Sequence, residues 1–161
     1  EGNLKWKEEN RPNLVVAVGK QLMLDTLMKG AAYTVTGPFL GLCGTTFTAS
    51  AADTMTSKGW TEFVNYTVGG SAVRGTAVFG AATSSGTTPA NVTTSAAPGI
   101  VYTITGAGGT VYGCFLVLGT GAVNTLSSTA GTLYSEVLFG AAKAVAASDT
   151  VTVTYSTTAT S

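Results

Sequence analysis

The chain has 161 residues, eight Lys or Arg against eight Asp or Glu, and no His, so its formal net charge is zero. That length admits one domain, with or without an arm, and excludes two large ones. Charged residues make up only 10% of the chain, with no basic cluster beyond an alternating-sign KWKEENR segment, so no electrostatic footprint for nucleic acid exists.

Solubility must come from hydroxyls and backbone, since Gly, Ala, Ser and Thr dominate the composition. A charge near zero also removes the self-repulsion that keeps monomers apart, which eases assembly. Apolar runs reach about five residues, far short of the ~20 a membrane helix needs, and the first residues lack the apolar core of a signal peptide. The expectation is a protein made and used without crossing a membrane. Absence of His and of any Cys-x-x-Cys leaves a transition metal almost no ligands, so neither metal nor cofactor is expected. Cys43 and Cys114 each sit in an apolar run and are expected as buried free thiols, with a disulfide as the alternative.

Residues 1–13 carry charges, Trp6 and Pro12 without a long apolar period, which reads as an extended arm. Trp6 is there either as a fold-back anchor or as a partner contact. Residues 14–161 then form the single domain. It opens on LVVAVGKQLMLDTLMK at 14–29, the one stretch with a helical period. Val15, Val16, Leu22, Met23 and Leu27, with Gly19 and Thr26 among them, fall on the expected core side. Lys20, Gln21, Asp25 and Lys29 lie opposite, interleaved with Leu14, Ala17, Leu24 and Met28. That second, partly apolar side implies a neighbouring subunit. Asn13 stands where an N-cap is wanted and Gly30 where a left-handed C-cap is.

Beyond residue 30 the pattern is strand and turn. Tyr33-Thr-Val-Thr alternates, and FLGLC at 39–43 reads as a buried strand in which Gly41 permits a bulge or a close approach. Residues 45–59 read as a surface loop. WTEFVNYTV at 60–68 alternates, placing Glu62 on the side of Trp60 in need of solvent or a partner. Residues 71–81 alternate again. The 82–99 stretch, with two prolines and two glycines, reads as a long exposed loop. Residues 100–105 and 110–118 flank Gly-Ala-Gly-Gly as a hairpin, and VYGCFLVLG, the most hydrophobic strand, belongs at a sheet centre. Residues 132–140 form another strand. Residues 141–147 read as weakly helical or looped, and TVTVTY at 150–155 as a half-buried strand. About eight strands with one N-terminal helix predict a mainly β fold, an antiparallel β-sandwich with a jelly roll among its possible forms.

Catalytic chemistry is hard to find. Outside the first 29 residues only Glu62, Glu136, Asp53 and Asp149 carry carboxylates, and their spacing does not place two across a cleft, so turn caps and solvated strand positions are the expectation. The glycine clusters at 106–109 and 119–121 lack a phosphate-loop continuation. No G-x-S-x-G or S-x-x-K activates a serine. Trp60, Tyr66, Tyr102, Tyr112 and Tyr134 could stack on sugar, although aromatics alternating along strands are more often core. No enzyme is expected.

A set of short segments resembles a known family: Val16-x-Val-Gly-Lys-x-Leu-x-Leu-Asp25, Tyr33-Thr-Val-Thr-Gly-Pro-Phe-Leu-Gly-Leu42, and Asp53-Thr-Met-x-Ser-x-x-Gly-Trp60-Thr-Glu62. Gly113-Cys-Phe-Leu-Val-Leu-Gly119, Gly131-Thr-Leu-Tyr134 and Ser148-Asp149-x-Val-x-Val-x-Tyr155 complete it. Together they are similar to small virion structural proteins of tailed bacteriophages. The resemblance implies a capsid decoration or cement protein, assembled in the host cytoplasm onto a virion. Its partners would be the major capsid protein and further copies of itself. Trp6, Lys7, Arg11, Leu24 and Met28 are the expected assembly contacts. The alternative is a tail or head-fibre module that binds host-surface glycan.

Overall fold

The structure, a computed structural model, describes residues 4–28, 36–81, 90–92 and 99–158. It is mainly β, with antiparallel sheets in a sandwich-like arrangement and, among the described residues, a single helix. In chain order the elements are β1 (Leu14–Val15), α1 (Ala17–Met28), β2 (Phe39–Cys43), β3 (Glu62–Phe63), β4 (Tyr66–Thr67) and β5 (Gly75–Thr76). They continue with β6 (Ala90–Val92), β7 (Ile100–Ile104), β8 (Gly109–Leu118), β9 (Thr132–Val145), β10 (Thr150–Val153) and β11 (Ser156–Thr158). The main sheet runs β1-β9-β8-β2-β3, with β5 also on β2. A second sheet runs β10-β7-β4, and β11 pairs with β6.

Alternation along β2 and β8 explains the layering. Leu40, Leu42, Cys114 and Leu116 point to one face, where Tyr102, Ile104 and Val151 of the second sheet close the first core. Cys43, Phe115 and Val117 point to the other, where Val16 and the loop residues Phe47, Met55 and Trp60 close a second core. A strand covered on both faces has no solvent side, which is why β8 reads as an unbroken apolar run. Leu42 pairs with Cys114 and Cys43 with Gly113, so the two thiols project from opposite faces of the sheet. Both are free and buried, and no bond between them is geometrically open.

Gly41 is where the sheet admits Phe115: a Cβ there would lie 2.4 Å from the phenyl ring. Trp60 stacks on the same ring at 4.3 Å between centroids. The 45–59 segment is therefore no mere surface loop, since it lays Phe47 and Met55 over the sheet beside Trp60. Residues 60–68 are not one strand either. Trp60, Phe63 and Tyr66 are the buried positions, a period of three, because the chain crosses there from the main sheet at β3 to the second sheet at β4. Likewise β7 and β8 do not pair as a hairpin. The glycine turn between them carries the chain from one sheet to the other, with Gly106 and Gly108 at positive φ.

Residues 141–145, Ala-rich and read as helix or loop, instead extend β9 to Val145, where the ladder to β8 overrides local propensity. Before that extension residues 139–142 bulge away opposite Tyr112 alone. Of residues 71–81, only Gly75 and Thr76 are strand, and 90–92 within the expected 82–99 loop form β6. The rest of that loop up to residue 98, residues 33–35 of the alternating 33–36 segment and the helix end at 29–30 lie outside the described residues.

Candidate functional site

The arm at 4–13 has no secondary structure of its own and is tied along β9 by side chains. Trp6 packs on Phe139 in the β9 bulge with the Lys143 ammonium 5.2 Å above its ring. Glu8 is the hub: it accepts from Gly140 N–H at 2.5 Å, pairs with Arg11 and Lys143 at 3.0 Å, and has its carboxyl pulled below the usual range, chiefly by the Gly140 bond. Arg11 also donates to the Leu138 carbonyl, and Lys5 pairs with Asp149. Lys7 is exposed and pairs with Glu9.

The helix starts later than its apolar period suggests. Leu14 and Val15 pair with Glu136 and Ser135 on the edge of β9, so backbone pairing claims them before a helix can. Asn13 is not a cap: its amide donates to Ser135 Oγ and to the Tyr155 hydroxyl. Instead Val16 N–H bonds the Tyr134 carbonyl, Ala17 N–H bonds the Ala51 carbonyl at 2.8 Å, and Lys20 N–H closes the first turn on Val16.

Close approach to β9 depends on Gly19, the buried residue of α1; a Cβ there would lie 2.5 Å from the Tyr134 carbonyl oxygen. This contact sets the rotation of the helix, and the rotation differs from the expected one. Met23 and Leu27, placed on the core side by their period, are exposed, Leu27 at 74%. Leu24 at 58% and Met28 at 80% are exposed as well. Between helix and sheet lies an apolar cavity of about 320 Å³, lined by Leu22, Met23, Leu27, Phe79, Leu118 and Tyr134, whose hydroxyl donates to Met23 Sδ. Of the nine exposed large hydrophobics among the described residues, four, Met23, Leu24, Leu27 and Met28, lie on this helix. Of the expected contacts, Leu24 and Met28 lie on it. Trp6 and Arg11 are engaged within the chain about the bulge of β9, and Lys7 sits apart on the arm.

The carboxylates are structural in placement. Glu62 holds Arg74 through two bonds of 2.7 and 2.8 Å and accepts from Ser127 N–H; both side chains are buried. Arg74 in turn donates to the Val123 and Ser128 carbonyls and lies over Phe115. Glu136 is not solvated: it is 1% exposed, accepting from Trp60 Nε1 at 2.7 Å and Ser50 N–H at 3.1 Å. Its strand, Leu-Tyr-Ser-Glu-Val-Leu, held the missed signal, a lone charge within an apolar run. Asp149 caps the turn before β10 by accepting from Ala146 N–H. Of the aromatics considered for sugar, Trp60, Tyr66 and Tyr102 are buried.

No described helix is long and apolar enough to cross a membrane, and no group of three or more His, Cys, Asp or Glu converges among the described residues. Comparisons with family models, curated proteins and solved structures returned no match.

Proposed function

We propose that the protein is a non-enzymatic virion component that decorates a bacteriophage capsid and stabilises it by bridging neighbouring capsid subunits, acting in many copies. The observation that carries this reading is the exposed apolar side of α1, Leu24, Leu27 and Met28, on a helix fixed to the sheet through Gly19. A rigidly seated apolar face avoids the ordering cost that a mobile segment incurs on association, and repeated weak contacts on a shell become collectively strong. A charge-poor, hydroxyl-rich surface suits the same role. The resemblance to small tailed-phage structural proteins supplies the capsid as the partner.

The test is binding to shells that lack the protein. Leu24→Ser with Met28→Ser, both at exposed positions, should leave unfolding unchanged and weaken shell binding at least tenfold. Particles without the protein should lose heat or osmotic resistance. Unchanged resistance, or affinity for cell-surface glycan with none for shells, would overturn the reading in favour of a host-binding fibre module.

A further inference from the structure

Buried Glu136 and half-buried Asp53 bring together two carboxyl groups that no catalytic or assembly role has absorbed. Glu136 has both oxygens occupied, one by Trp60 Nε1 and one by Ser50 N–H. The Asp53 carboxyl lies within hydrogen-bonding reach of it, and Asp53 Oδ2 is buried with no donor. An orphaned buried oxygen beside a second carboxyl calls for a proton between the two, since two bare carboxylates would repel at that range.

Among the described residues the surroundings give no counter-charge. On the sheet Glu136 is flanked by Leu14 of β1 and Phe115 of β8. From β2 the group that reaches it electrostatically is the Cys43 thiol, and from the 44–61 loop it meets Asp53, Ser50 N–H and the Trp60 indole. Lys58 of that loop turns away to the Met55 carbonyl and the outer face of Trp60. Arg74 is committed to Glu62. Burial and the Asp53 carboxyl raise the Glu136 carboxyl, against the opposing pull of Trp60 and Ser50.

We propose that Glu136 keeps its proton and donates it to Asp53 Oδ2, a bond that serves as a pH-operated latch, holding the 44–61 loop, and through it the start of α1, against β9. The mechanical link is short. Ser50 and Asp53 close one turn through Asp53 N–H to the Ser50 carbonyl, and Ala51 within that turn accepts the Ala17 N–H at the first residue of the helix. Loss of the proton to water leaves two carboxylates facing each other, and the turn is the movable side.

The sign follows from linkage. Closed, Glu136 holds its proton to higher pH than it does opened, so its contribution to closure is full below the ordinary glutamate range. Above that range the opening equilibrium rises about tenfold per pH unit, levelling once the closed Glu136 has ionised. Carbon-13 titration of the Glu136 carboxyl in the full chain should show a midpoint above the ordinary glutamate value. Amide exchange at Ser50 and Ala17, corrected for intrinsic rates, should lose protection by that tenfold factor across the same window. Asp53→Asn supplies a permanent N–H donor, so it should lower the Glu136 midpoint and flatten the exchange profile. A Glu136 that ionises in the ordinary range in the unaltered protein would overturn the latch without reference to any variant. A protection profile with no step, or one that keeps its slope in Asp53→Asn, would also overturn it.

Discussion

Gly19 shows how a single hydrogen in place of a methyl can position a helix. Replacing it by Ala would gain about 1 kcal/mol of intrinsic helix propensity, yet the new carbon would meet the backbone oxygen of Tyr134 at 2.5 Å, an atom held in the β9 ladder. Overpacking of that kind costs typically 1–3 kcal/mol, so the net effect should be a loss on the order of 1 kcal/mol, read as a lower denaturation midpoint. Its apolar setting was visible in the helical period; its contact was not, because the period cannot tell which neighbour a face meets. Glu62 was legible in a similar half-measure. Its place beside Trp60 called for solvent or a partner, and Arg74 supplies the partner through a buried bidentate pair. Glu136 was misread, since alternation locates a side chain on a face without saying whether a loop will later cover that face.

At the scale of elements, the arm is held by charges and one indole where a strand would be held by a ladder. Glu8 gathers three of these bonds, so protonating or neutralising it should release the segment. Its carboxyl sits below the ordinary value, chiefly through Gly140 N–H. The attachment is therefore complete above the ordinary glutamate range and lost as pH falls through the depressed value. Glu8→Gln should raise amide exchange at Gly140 about tenfold at neutral pH without shifting global unfolding, the mark of a local detachment. The arm's extended nature could be read from Pro12 and the missing period. Its docking place could not, because the bulge at 139–142 arises from a register shift between β8 and β9 that no local pattern announces. Short strands failed for a related reason: β3, β4 and β5 are two residues each, too brief for alternation to define.

Across the whole molecule, one sheet separates two cores, and Phe115 lies where Trp60, Gly41 and Arg74 converge. Phe115→Ala should cost about 3–5 kcal/mol, and the loss should appear as one shifted transition because the two cores share strands β2, β8 and β9. The thiols give an independent readout of that cooperativity. Burial pushes Cys114 up to about 12 and raises Cys43 as well, so both should stay unreactive to a thiol reagent until global unfolding, then react at one common rate. Oxidation should give no intrachain crosslink, since the side chains leave the sheet in opposite directions. The mainly β character, the central place of β8 and the single helix were legible because long apolar or alternating runs are decided locally. The assignment of strands to sheets was not, because a glycine turn serves a hairpin and a sheet-to-sheet crossing equally well.

The 14 residues of β9 have a further consequence. Along this one ribbon, in order, come the carbonyl against which Gly19 rests, the carboxyl clasped by the loop, and the kink gripped by Trp6 and Glu8. Tension applied to the helix by anything bound there would run down the ribbon like load along a tendon, reaching the clasp first and the grip last. Under such a pull the parts should yield in that sequence, with the tryptophan at the far end released only after the nearer fastenings give way.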